Sequence, residues 1–400
     1  MKNIVISKHT FFLNQNHSIF TTGSSIEDFF QKNNINYICI KHPLNNVPSS
    51  LGDDFRKKKA QHSVKIYPSS LIETFSNGRL TKEIIVYNNS SLLPIKTIQE
   101  FFITLKVLNT INKQIDLFIA INPLNALYGI VLKKIGKVKK IIFYTADYAE
   151  KRFNNPVINW IYHTVDQLAV RYSDQIWNVS TRITDLRKRQ GLKAKNNIFV
   201  PNSPPFNKKT IFNIDRINKY EIVIAGVIEA TIDFTLIFKV ISILKNKYPS
   251  IKLKIIGGDD WKTKYLNLIE KLDISRNVKF IGKLNHIDFL NELSKSSIGI
   301  AFYPNEIPWN YYCDSMKIRD YLSCGLPVIT NNTHSIADDI KINNAGLVIE
   351  LGEKQLKNAL DIIFSDENLY QKMRNNAIDI AKIYDNDKLL NKLLADYIQK

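Results

Sequence analysis

Only three cysteines, Cys39, Cys313 and Cys324, occur in 400 residues. Their spacing fits no metal-ligand pattern, and an odd, sparse set argues against a disulfide scaffold, so a reducing cytosol is the expected setting. No uninterrupted apolar run reaches the roughly 18–20 residues of a membrane-spanning helix. The nearest, residues 117–132, is broken by Asn122, Pro123 and Asn125. The opening Met-Lys-Asn-Ile-Val-Ile-Ser reads as a short strand and not as a signal peptide. No Gly-x-Gly-x-x-Gly follows the first strand of either half, and no Gly-x4-Gly-Lys-Ser/Thr occurs. Both absences argue against a dinucleotide oxidoreductase and a P-loop NTPase. Basic residues are many but scattered, so nucleic acid is not an expected partner.

What is present is charge and a regular alternation. The 55 basic and 37 acidic residues leave a net charge of +18, which points to an anionic partner: a phosphorylated substrate or an acidic membrane surface. Four hundred residues exceed one ordinary core, so two domains are expected. In the first half, Asn3–Ser7, Asn36–Lys41, Val64–Tyr67, Glu83–Tyr87, Asp116–Ile121, Lys140–Tyr144, Gln175–Val179 and Asn197–Val200 read as strands. Helices are expected over Ile26–Lys32, Pro94–Ile111, Pro123–Gly136, Asn155–Tyr172 and Arg182–Gln190. The Pro- and Asn-rich run from Pro201 to Lys209 breaks the pattern, which then restarts at Tyr220. Strand and helix alternating at βαβ spacing predict doubly wound parallel sheets in both halves.

In such sheets ligands sit beyond the carboxyl ends of the strands. Asp147 follows one strand end as a polar group able to face a substrate hydroxyl, and Arg152 lies just beyond it. Gly226, Gly257, Gly258 and Gly282 follow strands of the second half. The richest stretch is Asp314–Thr330. Ile318, Tyr321 and Leu322 fall at i, i+3 and i+4, one face of a helix. Gly325 suits the left-handed residue that ends it, and Pro327 prevents continuation. Lys317, Arg319 and Asp320 place charge near its N-terminus, where unpaired amides attract anions. Taken alone, the stretch is also an ordinary surface helix before a core strand.

Five segments in order resemble the GT-B glycosyltransferases, and within them the large retaining group often called glycosyltransferase family four. They are Ala225-Gly226-Val227-Ile228, Ile255-Ile256-Gly257-Gly258, Val278–Gly282, Lys317–Ile329 and Asn344–Glu350. The resemblance implies two Rossmann-like doubly wound domains facing a central cleft. Their expected bounds are 1–205 (acceptor), 206–218 (linker) and 219–380 (nucleotide-sugar), with a C-terminal helix over 381–400 crossing back to the first domain. Asp320 takes the place of the glutamate that binds the donor's ribose hydroxyls. Lys317 lies near the diphosphate, and Gly226, Glu229, Gly257, Tyr303, Pro304 and Ser315 complete the donor site. Asp147, Asp314 and Lys317 are the candidate catalytic groups, and Gly23 and Arg152 the candidate acceptor contacts. Eight positions before Asp320, where the family's pattern has a second glutamate, stands Tyr312; Asp314 is the nearest substitute. Phosphate neutralisation falls to Lys317, Arg319 or residues of the first half.

The implied reaction moves a sugar from a nucleotide-sugar donor to a glycan or lipid-diphosphate-linked acceptor in cell-envelope polysaccharide synthesis, leaning to retention of configuration. It needs no cofactor and no metal, the nucleotide-sugar being a co-substrate. The implied location is cytoplasmic, with an anionic membrane surface as a candidate partner. The alternatives are a non-catalytic glycan-binding or scaffold protein and, with less support, a sugar-nucleotide epimerase.

Overall fold

Runs such as Ile-Val-Ile at the start of the chain and Leu-Phe-Ile-Ala-Ile at 117–121 are apolar on both faces, as befits strands covered by helices on either side. In a computed structural model they become the centre of an α/β unit, and a second such unit follows. The structure describes residues 2–10, 12, 22–44, 69–87, 93–111, 113–225, 234–257 and 262–398. Among these, one unit comprises the residues up to Pro201 and those from Asp387 onward; the other runs from Asn202 to Asn386.

The first unit contains β1 (Ile4–Thr10), α1 (Ser24–Lys32), β2 (Tyr37–Pro43), β3 (Ser69–Ser76), β4 (Arg79–Tyr87), α2 (Leu93–Asn109) and β5 (Ile115–Ile121). Then come α3 (Pro123–Lys134), β6 (Val138–Thr145), α4 (Pro156–Tyr172), β7 (Gln175–Asn178), α5 (Thr181–Arg189) and β8 (Asn197–Phe199). The sheet order is β4-β3-β2-β1-β5-β6-β7-β8, so the winding reverses between β1 and β5. It is not wholly parallel. β3 and β4 form an antiparallel hairpin at one edge, joined by Asn77 (φ +49°) and Gly78 (φ +72°). Asn-Gly with both residues left-handed is the tight turn that matches strand twist. The strand expected at Val64–Tyr67 lies outside the described residues.

The second unit contains β9 (Asn218–Ala225), α6 (Phe234–Leu244), β10 (Lys252–Ile256), α7 (Lys262–Lys271), β11 (Val278–Gly282), α8 (His286–Leu293) and β12 (Ser296–Ala301). It continues with α9 (Met316–Ser323), β13 (Val328–Thr330), α10 (Ile336–Ile342), β14 (Gly346–Val348), α11 (Glu353–Ser365) and α12 (Glu367–Ile383). Its order, β11-β10-β9-β12-β13-β14, reverses between β9 and β12, and every pairing is parallel. Ile222, Ile255, Phe238 and Leu360 pack one face, and Val223, Tyr321, Leu326 and Ile340 the other. Two short helices close the chain, α13 (Asn386–Leu393) and α14 (Ala395–Ile398). They pack against the end of α1 and the start of the chain beside it: Lys32 pairs with Asp387, and Lys2 donates to the Asp396 carbonyl. Asn33, Ile35, Asn391, Ala395 and Ile398 line a shallow pocket there.

Candidate functional site

The winding reversal in the second sheet places the carboxyl ends of β9 and β12 side by side, and α9 lies over them. Ser315 caps α9, its hydroxyl accepting from the Ile318 N–H at 3.2 Å. Ile318, Tyr321 and Leu322 are buried, the face expected from their spacing. Gly325 takes φ +75°, a left-handed stop that a side chain would resist, and Arg374 donates to its carbonyl at 2.8 Å.

Two hydrogen-bonded ties fix α9 to the sheet. The Ala225 N–H, at the last residue of β9, donates to the Tyr321 hydroxyl at 2.8 Å. That hydroxyl donates in turn to the Ile300 carbonyl at 3.3 Å. Just past β12, Tyr303 is held on both backbone groups by Asn331: its N–H donates to Oδ1 at 2.9 Å, and its carbonyl accepts from Nδ2 at 2.6 Å. The Tyr303 hydroxyl meets Ser315 Oγ, linking the strand end to the helix cap. The Lys317 ammonium lies 5.9 Å from the centre of the Tyr303 ring.

Asp320, one turn into α9, differs from every group around it. Among the described residues its carboxyl has no hydrogen-bond partner. Burial without compensation raises its pKa from an ordinary 3.8 to about 7. A carboxyl without a partner keeps its acceptor sites open to donors from elsewhere.

Asp314 does not do what its position suggested. Its side chain is wholly buried and clasped by Arg319, with Nε and Nη2 3.0–3.2 Å from its oxygens. It also accepts from the Asn202 N–H at 2.9 Å. An acid so enclosed braces the loop before α9 and cannot reach a reacting atom. Arg319 is engaged on more than one side: it also contacts Asp339 at 3.4 Å and lies over the Tyr384 ring. Tyr312 is buried and packs against Tyr311, which removes a carboxylate from that place altogether. Ser315 and Lys317 meet Tyr303 at the start of α9, and Asp320 lies one turn further along the same helix. The Pro304 carbonyl is occupied by Asn310 Nδ2 at 2.9 Å. The Gly257 N–H donates to the Gly282 carbonyl at 3.0 Å. Gly226, Glu229 and Gly258 lie outside the described residues.

In the first unit the residues beyond the strand ends pair with one another. Asp147 and Arg152, expected in separate roles, form one ion pair at 2.6 Å, each roughly one-third exposed. Gly23 is pressed against Ile121 at the end of β5, where a Cβ would lie 2.0 Å from Cδ1. A second set escaped sequence reasoning. Lys8 and Lys41 stand in register on β1 and β2, as do His9 and His42. Lys8 pairs with Glu27, and Lys41 with Glu27 at 3.1 Å and Glu73 at 2.7 Å. On the other face His9 Nε2 meets Glu100 at 3.0 Å, while the side-chain amides of Asn122 and Asn125 lie 2.9 Å from Nδ1. Burial alone would raise the Glu100 pKa; the hydrogen bond and charge of His9 overcome it and hold the carboxyl at about 2. A Lys-His doublet closes both strands in the sequence and was the available signal.

Among the described residues, Glu27, Cys39 and Glu73 come close enough to share an ion. Lys8 and Lys41 already neutralise the two acids, and burial pushes the Cys39 thiol up, away from the thiolate a metal needs. The chain's one Asp-x-Asp, at 385–387, is engaged elsewhere: Asp385 accepts from the Phe206 N–H at 3.4 Å and Asp387 pairs with Lys32.

The family model described as "Glycosyl transferases group 1" matches residues 207–380, the span that carries α9 and the strand ends beneath it. Residues 207–380 are a glycosyl transferases group 1 domain. Among curated proteins, an uncharacterized glycosyltransferase of Haemophilus influenzae is 24% identical over 161 residues, covering 40% of this chain and 43% of that one. A chitobiosyldiphosphodolichol beta-mannosyltransferase of Candida albicans is 24% identical over 174 residues, covering 41% and 37%. These matches thus span less than half of either relative. Among solved structures, Anabaena Alr3699/HepE, in complex with UDP, superposes with a TM-score of 0.66 at 14% identity over 99% of both chains. A glycosyltransferase from Rickettsia africae gives the same score and identity over 99% and 97%. The likeness establishes the GT-B fold around the group 1 domain.

Proposed function

We propose that this protein transfers a sugar from a nucleotide-sugar bound by the group 1 domain to a glycan or lipid-diphosphate-linked acceptor bound by the first unit. The observation that carries the reading is Asp320, a desolvated carboxyl with no partner among the described residues, on a helix tied to β9 and β12. Two ribose hydroxyls donating to it would supply what it lacks, and hydrogen bonds to a charged group contribute about 1.5–3 kcal/mol. In this reading the Lys317 ammonium and the uncapped first-turn amides of α9 stabilise charge that develops on a diphosphate leaving group. Departure of the nucleotide then needs no metal in this reading. Retention of configuration follows if the leaving phosphate itself takes the acceptor's proton. Asp147 beside Arg152 is the corresponding acceptor-side group. A bacterial envelope glycan is the product in this reading, and the net charge of +18 suggests attachment to the inner face of the cytoplasmic membrane.

Thermal denaturation with a panel of nucleotide-sugars tests the reading. UDP-glucose comes first, because a crystal structure of the Anabaena protein is a complex with it. A donor at a hundred times its Kd stabilises by about 2.7 kcal/mol. That shift should disappear in Asp320→Ala and in Lys317→Ala. If no nucleotide-sugar raises the melting temperature and Asp320→Ala changes nothing, the reading fails.

A further inference from the structure

The outer face of α4 carries the wrong residues for water. Val157, Ile161, Leu168 and Tyr172 recur at i, i+4, i+11 and i+15, one apolar stripe interrupted by Thr164 along a 17-residue helix about 25 Å long. Trp160 flanks it. Val157 is 61% exposed, Trp160 67%, Ile161 48% and Tyr172 43%. The opposite face is the one that packs inward, through Asp166, Ala169 and Val170. The helix therefore has an apolar side turned outward in addition to its buried one.

At the Tyr172 end of this stripe the uncompensated charges are basic, while near its other end the Glu150 carbonyl accepts from Asn159 and His163 and Asp147 pairs with Arg152. The only acid of α4, Asp166, is buried and held by Arg187 through two hydrogen bonds of 2.6 and 2.7 Å. Asp174, just beyond the helix, is occupied by Lys133 and Lys140. Tyr172 is flanked by Lys134 at 5.3 Å and Arg171 at 5.7 Å from its ring centre. Among the described residues neither cation forms an ion pair. An exposed apolar stripe flanked by Trp160, reaching Tyr172, and bordered at the Tyr172 end by two cations that have no acid partner among the described residues matches the interfacial zone of an anionic bilayer. A second copy of this chain fits less well, because the net charge of +18 and the shared basic rim oppose self-association.

We propose that the outer face of α4 is the surface by which this protein lies on an anionic membrane, with Trp160 and Ile161 entering the headgroup region and Lys134 and Arg171 meeting lipid phosphates. The inference rests on the membrane part of the function proposed above and not on glycosyl transfer.

Flotation of the full chain with vesicles tests it. One set is phosphatidylcholine alone, the other equal parts phosphatidylcholine and phosphatidylglycerol. The chain should float with the anionic set only, and added salt should release it. Trp160→Ser with Ile161→Ser should lower the partition coefficient about tenfold or more, and Lys134→Glu with Arg171→Glu should abolish binding. Ile342→Ser removes a still more exposed apolar side chain from the other unit and should change nothing. These are surface positions, so unaltered melting temperatures establish that the variants fold. If the wild type does not float, the membrane attachment itself is refuted. If it floats and the Trp160/Ile161 variant floats equally, attachment stands and this face is wrong. Self-association that the variant loses, without vesicle binding, assigns the face to a second copy and overturns the proposal. None of these outcomes depends on which nucleotide-sugar is bound.

Discussion

At the ends of β1 and β2 in the first unit, Lys8, Lys41, Glu27 and Glu73 answer one another's charges; at the ends of β9 and β12 in the second, Asp320 has no partner among the described residues. Both sets lie where a doubly wound sheet presents its functional edge. A buried acid with its cation in place is part of the fold. One left without a partner is a standing cost that a ligand can relieve. Similar residue types at equivalent places therefore serve different ends.

The largest effect should come from breaking the closed set. Glu27→Ala leaves the buried Lys8 without its carboxylate and should cost about 3–5 kcal/mol in urea denaturation at neutral pH. The matched change in the open set, Asp320→Asn, should leave the unliganded protein as stable or more so. It should weaken nucleotide-sugar binding about 10- to 100-fold by titration calorimetry. A loss of stability there comparable to Glu27→Ala would erase the distinction.

A further compensated acid of the first unit, Glu100 beside His9, and Asp320 should respond to pH in opposite directions. Folded Glu100 holds its proton less readily than the unfolded chain does. Its stabilisation is present above the ordinary 4.5 and lost as pH falls toward about 2. Folded Asp320 holds its proton more readily. It lowers stability as pH rises from 3.8 to about 7, and the penalty is complete above that. Denaturation midpoints between pH 2 and 8 should lose the acid-side fall in Glu100→Gln and the near-neutral fall in Asp320→Asn. The smallest effect is expected at Asp147. Its pairing with Arg152 is partly exposed, so Asp147→Asn should alter stability by less than about 1 kcal/mol. Transfer to an acceptor, once one is identified, should fall while donor binding persists.

Local periodicity was enough to read α9. The spacing of Ile318, Tyr321 and Leu322 gave its buried face, and Gly325 its end, because both depend on neighbours within a turn. The parallel strands followed from apolar runs with helices between them. The hairpin at Asn77-Gly78 carried a local signal that went unread, so an antiparallel edge was missed. The fates of Asp314 and Arg319 were not legible. They stand five apart, outside the usual i, i+4 pairing, and the Asn202 N–H that completes the brace is remote in sequence. The ion pairs of Lys8 and Lys41 depend on β1 and β2 lying side by side in a particular register, which a single sequence does not reveal.

The packing of α13 and α14 against α1 has a consequence for the order of assembly. The first unit is not finished when its sheet has been made; its last helices are synthesised only after the whole of the second unit. A chain growing from its N-terminus therefore completes the group 1 domain first, while the earlier half waits with the α1 surface around Asn33 and Ile35 uncovered. Ribosome-stalled chains ending at Asn386 should hold a protease-resistant second unit and a first unit that gains resistance only when α13 and α14 emerge.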